Sequence, residues 1–360
     1  MSLHGLRVLA FVALVGCSHE QPFQPIDETI DRPFHPGVPT RLTYNPGADL
    51  RPAWLPDGSA IVYAWQQLDQ PDRDRCLGFM NAAGGTRYRT VCNPSASAVD
   101  STDLFDSPAP SPDDRLLYIR GISPRNAPST SSAGVYVGPL SDPLNATKLV
   151  NLPSTPPGGS MQGHISDAHW VNDSRVMYLG EKVQYFPPIR GDPADTAITG
   201  LEIVDMELGG AVPSLSVVPG TSGATSMTLT NGGDTLVYTL ATDSRVFARA
   251  LSTGQVTVLH DFGALGAVSD VALRDDQLVA VVGTWPEGGQ LWSVNLTSGN
   301  QAPLPLGPEV VQFRRPAFAP AGNPVRLVAE GYSLTTVTDR FGMVETVVSP
   351  VGDLYLYEAP

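Results

Sequence analysis

One short pattern recurs along this chain, and it restricts the available folds more than any other feature. It is first met as RPAWLPDGSAIVYAW (residues 51–65), an apolar–polar run, a Pro-Asp-Gly turn and a second run ending on aromatics. SPAPSPDDRLLYIRG (107–121), DAHWVNDSRVMYLGE (167–181) and SMTLTNGGDTLVYTLA (226–241) echo it. Weaker copies are DVALRDDQLVAVVG (270–283) and RPAFAPAGNPVRLVAEG (315–331). Aligned on Trp54, Pro110, Trp170, Leu229, Leu273 and Phe318, the copies lie 56, 60, 59, 44 and 45 residues apart. Each turn is built on Pro, Asp, Asn or Gly, which supply the dihedrals a hairpin needs. The second strand is apolar and carries Tyr63, Tyr118, Tyr178 and Tyr238 in the first four copies.

Third and fourth strands follow: GVYVGPL then TKLVNL, RVFARALSTG then QVTVLHDF, QLWSVNLTSG then NQAPLPL. Four antiparallel strands at this period describe a propeller blade. One such sheet cannot cover both its faces, so the blades must stack around an axis. The expected fold is all-β, a six-bladed β-propeller of four-stranded antiparallel blades. The last copy runs into GDLYLYEAP with no residues left for a fourth strand, and TRLTYN (40–45) precedes the first copy as an orphan. The N-terminal strand is therefore expected to join the last blade and close the ring, removing an open edge that invites aggregation. High Gly and Pro (35 and 34 residues) with only 16% charged residues suits short strands and turns.

The wording Pro-Ala-Trp-x-Pro-Asp-Gly, within PTRLTYNPGADLRPAWLPDG, resembles the TolB-type propeller repeat. The resemblance covers roughly residues 40–360, is strong in the first two copies and is degraded in the last three. It implies protein partners docking at the channel mouth. It does not fix function, because such propellers are binding platforms and also caps on enzymes. The competing architecture is a β-sandwich with chance turn matches.

The first residues carry a different signal. MSLHGLR holds one positive charge, Arg7, and VLAFVALV (8–15) is too short to span a bilayer as a helix. Leu14-Val15-Gly16-Cys17 resembles a bacterial lipobox, which implies cleavage before Cys17 and acylation there; the alternative is a plain secretory signal. Two or more acyl chains anchor stably where one is marginal. Ser18 after the cysteine favours an outer-membrane destination, facing the periplasm or the surface. Residues 18–39 contain five prolines and no alternating pattern, an extended tether of about 3.1 Å per residue. The expected organisation is a signal peptide over 1–16, a Pro-rich tether over 17–39 and the propeller over 40–360.

The two other cysteines lie in RCLGFMNAAGGTRYRTVC. A hairpin centred on Gly84 pairs residues whose numbers sum to 168, which sets Cys76 opposite Cys92. An exported protein meets oxidising conditions, so a disulfide is expected. A register slip or reduced thiols are the alternatives.

Net charge of −14 disfavours a nucleic-acid partner. The sequence has no Gly-Lys pair for a phosphate loop, no His-Glu-x-x-His and no Gly-x-Ser-x-Gly elbow. The last copy runs to the end of the sequence, so neither an appended hydrolase domain nor a cofactor is expected. Candidate binding residues cluster before the first strand of each blade: Asp49, Arg51, Asp106, Asp167, His169, Asp270, Arg314 and Arg315. Loops there converge at one channel mouth, where carboxylates, an imidazole and guanidiniums could hold a peptide or a cation, or do acid–base work. The plainer reading is that each Asp accepts backbone N–H bonds in a turn.

His164 and His169 are spaced poorly for a shared metal, and Arg190-Gly191-Asp192 reads as a chance adhesion tripeptide. Trp54, Trp170, Trp285 and Trp292 read as inter-blade core. The expectation is a monomeric, membrane-anchored envelope lipoprotein that binds a protein or peptide and is not an enzyme. The alternatives are a propeller-type hydrolase or lyase using Asp167, His169 and Arg315, and an ion-stabilised scaffold.

Overall fold

The computed structural model describes residues 37–44, 47–66, 75–85, 87–92, 101–124, 132–157, 159, 162–186, 195–210, 212–283, 289–307, 310–320, 325–338 and 342–358. The signal and lipobox readings, most of the tether, the Arg190-Gly191-Asp192 tripeptide and Trp285 lie outside them.

The strands follow the repeat. The first copy gives β2 (Asp49–Trp54), β3 (Ala60–Gln66), β4 (Arg75–Asn81) and β5 (Arg89–Val91). The second gives β6 (Ser101–Pro110), β7 (Arg115–Pro124), β8 (Ser132–Pro139) and β9 (Thr147–Leu152). The third gives β10 (Gln162–Asn172), β11 (Arg175–Phe186), β12 (Asp195–Glu207) and β13 (Ser214–Val217). The fourth gives β14 (Ala224–Leu229), β15 (Thr235–Leu240), β16 (Arg245–Ala250) and β17 (Val256–Asp261). The fifth gives β18 (Val268–Arg274), β19 (Gln277–Val282), β20 (Gln290–Asn295) and β21 (Gln301–Pro303). The last supplies β22 (Val310–Phe318), β23 (Arg326–Thr338) and β24 (Val344–Glu358), and its fourth strand is β1 (Thr40–Arg41).

The blades of copies three to six are separate four-stranded sheets. The first two are joined into one eight-stranded sheet, because Arg75 of β4 makes a single parallel pair with Leu104 of β6. On either side of that pair each blade keeps its own antiparallel ladders.

Strand alternation explains how the blades stack. Successive residues face opposite sides of a sheet, and here each side meets a different neighbour. In β3, Ile61 and Tyr63 pack against the last blade while Val62 packs against the second. In β7, Leu116 and Tyr118 face the first blade while Leu117 and Ile119 face the third. The alternation continues through β11, β15, β19 and β23, giving an apolar cluster at every junction around the ring and a second one, of Ala48, Leu50, Ala64 and Tyr332, between the last blade and the first. The repeated tyrosine always faces the preceding blade and is 0–3% exposed.

The ring closes at β1. Thr40 pairs with Leu356 and Arg41 with Tyr355. The Leu42 N–H donates to the Leu354 carbonyl (2.7 Å), and the Leu354 N–H donates to Thr43 Oγ1 (2.9 Å). Arg41 forms an ion pair with Asp353 (2.7 Å), and Leu42 is buried in the cluster between the last and first blades.

In the first blade, Leu77 pairs with Val91 and Phe79 with Arg89. That is the expected register, and Cys76 and Cys92 are bonded with Cα atoms 4.7 Å apart.

Candidate functional site

The innermost strands β2, β6, β10, β14, β18 and β22 surround the axis. Three residues before each alignment position stands one polar side chain per blade: Arg51, Ser107, Asp167, Ser226, Asp270 and Arg315. Four of these six have left-handed backbones: Arg51 (φ 54°), Ser107 (47°), Asp167 (50°) and Arg315 (47°). Each sits where the ladder to the second strand shifts, between Leu50 and Ala53, Asp106 and Ala109, Ser166 and His169, and Arg314 and Ala317. These are β-bulges, which re-aim side chains, and non-glycine residues adopt such dihedrals at a cost of about 1–3 kcal/mol. In β14 and β18 the shift comes just before the ring residue, at Ala224/Ser226 and Val268/Asp270, and the backbone there is not left-handed.

The bulges turn the polar groups onto one another across blade boundaries. Arg51 Nε lies 2.7 Å from Asp106 Oδ1, and Arg75 Nη1 donates to Asp106 Oδ2 (2.9 Å). Arg315 Nη1 donates to both oxygens of Glu330 (3.1 Å each). Tyr332 Oη (2.6 Å) and the Arg51 backbone N–H also donate to Glu330. Asp167 Oδ2 accepts from the Met227 N–H (2.8 Å) and Ser226 Oγ (3.1 Å), and Ser226 Oγ accepts in turn from the Val271 N–H (3.2 Å). Asp270 accepts from Ser269 Oγ (3.0 Å), with Arg314 Nε 3.9 Å away. The network links all six blades.

These surroundings set the protonation states. Burial penalises the Asp106 anion, yet Arg51, His164, Arg75 and Arg315 outweigh it and hold the carboxyl below its ordinary range. Asp167 is lowered too, because His169, Met227 and Ser226 overcome its burial. Glu330 follows the same logic through Arg315, Tyr332 and Arg51. Asp270 goes the other way: burial pushes it up, and Arg314 and Arg315 offset only part of that.

The candidate residues thus lie within the first strands and at their bulges, rather than in the loops before them, where the sequence reading put them. Asp106 and Asp270 are buried because inner-strand side chains point at the crowded axis, while Arg51, Asp167, His169, Arg314 and Arg315 keep part of their surface. Asp49 is fully buried and stands apart from the ring positions. His164 lies near Glu181 (3.4 Å) and Asp106 (3.9 Å), while His169 Nε2 lies 3.2 Å from Asp167 Oδ1, so the two histidines serve separate clusters. Among the described residues, no group of three or more His, Cys, Asp or Glu is placed to hold a metal ion.

The ring forms one end of a cavity of about 330 Å³ that runs along the inner strands to the turns leading into the second strands. Arg51, Asp167, His169 and Arg315 are at its polar end, and Trp54, Trp170, Leu229 and Phe318 are in its walls. Seven prolines, including Pro52, Pro108 and Pro316, and the Arg274 guanidinium complete the lining. Trp54 Nε1 donates to the Ala317 carbonyl of the last blade (2.9 Å), and Trp170 Nε1 donates to Ala109 of the second blade (2.8 Å). Each indole therefore also staples its blade to the one before, the inter-blade role its strand position suggested.

Sequence reasoning missed Ser107 and Ser226, which counting back from the alignment positions would have found. It also missed Glu330, Tyr332, Arg75 and Glu181, which come from second and third strands where no motif marks them.

No protein-family model matches the chain, and neither does any curated protein. Solved propellers do match in three dimensions. TolB from Acinetobacter baumannii aligns at 17% identity and TM-score 0.50, covering 84% of this chain and 67% of that one. The Cps50 (Swd1) β-propeller domain from Myceliophteria thermophila aligns at 11% identity and TM-score 0.52, covering 90% of this chain and 100% of that one. A gluconolactonase from Xanthomonas campestris aligns at 13% identity and TM-score 0.50, covering 89% of each. At these identities the likeness is one of fold.

Proposed function

We propose that this protein is a lipid-anchored binding module of the bacterial cell envelope, and that its cavity receives a protein or peptide segment. The observation that carries the reading is the contrast between ring and cavity. The ring carboxylates Asp106, Asp167 and Glu330 are ion-paired or bonded to backbone N–H groups, so they hold the blades together and are poorly placed to exchange protons with a substrate. The cavity offers apolar aromatic and proline walls with a few polar groups at one end, the usual makeup of a recognition site. Arg51 and Arg315 in its lining are already paired with Asp106 and Glu330, so the Arg274 guanidinium towards the mouth is what favours a partner segment bearing carboxylates. The Cys76–Cys92 bond is compatible with an oxidising compartment.

The test uses the lipidated chain as bait in native envelope, comparing wild type with Leu229→Glu, which places a charge in the cavity wall. Loss of captured protein with an unchanged melting temperature supports the site; equal capture by both contradicts it. For the anchor, Cys17→Ala should move the protein from the detergent phase to the aqueous phase, and unchanged partitioning contradicts lipidation.

A hydrolase or lyase working through Asp167 and His169 is the second reading, because that pair opens onto the cavity. Against it, Asp167 already accepts from Ser226 and Met227 through its other oxygen, which fits an orienting and structural role.

A further inference from the structure

The first described residues fix where the N-terminal segment meets the propeller. The Gly37 N–H donates to the Glu358 carbonyl (2.8 Å) at the end of β24. Glu358 is paired in register with Arg326, whose Nε donates to Glu358 Oε1 (2.9 Å). The Arg326 carbonyl accepts from the Ala319 N–H (2.9 Å), and Ala319 lines the cavity. Gly37, Glu358, Arg326 and Ala319 therefore form one transverse row across the last blade, from its outer edge to the cavity. The chain joins the propeller at the level of the cavity mouth, on the face where the turns into the second strands lie.

Reach is ample. Four strands spaced about 4.8 Å apart put the outer edge roughly 14 Å from the inner strand. At about 3.3 Å per residue, four or five residues cover that distance. Residues 18–36 number 19, so after the rim is crossed enough of them remain for a few to enter the cavity.

The chemistry matches as well. The segment SHEQPFQPIDETIDRPFHP carries Phe23, Ile26, Ile30 and Phe34 between prolines, and four acids (Glu20, Asp27, Glu28 and Asp31) against one Arg. The cavity presents aromatic and proline walls, with the Arg274 guanidinium, which also donates to the Ala319 carbonyl (3.2 Å), towards its mouth. Aromatic-lined grooves bind proline-rich segments because the extended chain is already ordered and loses little entropy. Opposite charge adds orientation and a faster encounter.

We infer that a stretch of residues 18–36 docks in the cavity of its own propeller, so that this segment is a built-in competitor which an external partner must displace. This rests on the reading of the cavity as a binding site and adds its resident occupant. Because the local concentration of a tethered segment reaches the millimolar range, even weak docking suffices.

The test uses the full chain in cells, with Asn231 at the cavity mouth replaced by the photo-cross-linker p-benzoylphenylalanine. A control places the probe at Ser222, before β14 on the opposite face. The expected result is an adduct from position 231 to a peptide within 18–36, in the monomer band, with none from position 222. The triple variant Asp27→Asn, Glu28→Gln, Asp31→Asn should lower that yield several-fold. Equal adducts from both positions, or adducts to 18–36 only between molecules, overturn the inference. Position 231 capturing an envelope protein but never residues 18–36 overturns self-docking and leaves the binding reading standing. No adduct of any kind from position 231 overturns both.

Discussion

Asp270 and Glu330 are buried carboxylates of the same ring network, yet their surroundings drive them in opposite directions. Glu330 is held below its ordinary range, so its ionised form stabilises the fold above the unfolded carboxylate pKa. That stability is lost as pH falls through the folded value. Glu330→Gln should cost about 3 kcal/mol at neutral pH, because it leaves the Arg315 guanidinium without its buried counter-charge. Denaturant melts check this, and a loss within error of zero contradicts it. Asp270 is raised, so its charged form destabilises the native state once pH climbs past the ordinary carboxylate range. Asp270→Asn should therefore raise the melting temperature at pH 7, with the gain vanishing below about pH 4. A loss at pH 7 would contradict the assignment. Residue type near the repeat motif revealed Arg51, Asp106, Asp167, Asp270 and Arg315. It could not reveal Ser107 and Ser226, whose hydroxyls attract no notice in a sequence, or Glu330, which reaches the ring from β23.

Elements were legible to different degrees. The β4–β5 hairpin followed from arithmetic about Gly84, because a period-two register leaves one pairing once the turn is fixed. Its disulfide closes a loop with a sequence separation of 16. Such a loop is worth about 3 kcal/mol on the chain-entropy account. The double variant Cys76→Ala, Cys92→Ala should lose up to that amount, and non-reducing peptide mapping of wild type should find the two cysteines joined. Free thiols at both would end the claim. The bulges were harder to read, because an extra residue leaves the apolar pattern nearly intact. A signal was present all the same. Pro52, Pro108 and Pro316 each follow a left-handed ring residue, and proline within a sheet is confined to edges and bulges because it cannot donate to the ladder. Asp167 has no such proline after it, and its bulge had no marker.

For the whole molecule, repeat spacing and strand alternation carried the architecture, since a sheet apolar on both faces must have a neighbour on each side. The unequal spacings of 44 to 60 residues reflect hairpin and loop lengths rather than a change of plan. What the cavity recognises was not legible, because its walls are built one or two residues at a time from inner strands distant in sequence. The positions of the ring, the cavity and the point where the N-terminal segment joins all depend on closure of the last blade by β1. That strand contributes two register pairs, the buried Leu42 and the Arg41–Asp353 ion pair. The direct test is the melting temperature of a chain lacking residues 40–43. The account predicts a fall of more than about 10 °C, since an opened ring loses the cluster between last and first blades as well as the strand itself. A melting temperature within about 2 °C of wild type would contradict closure, and with it the arrangement of the blades proposed around the axis.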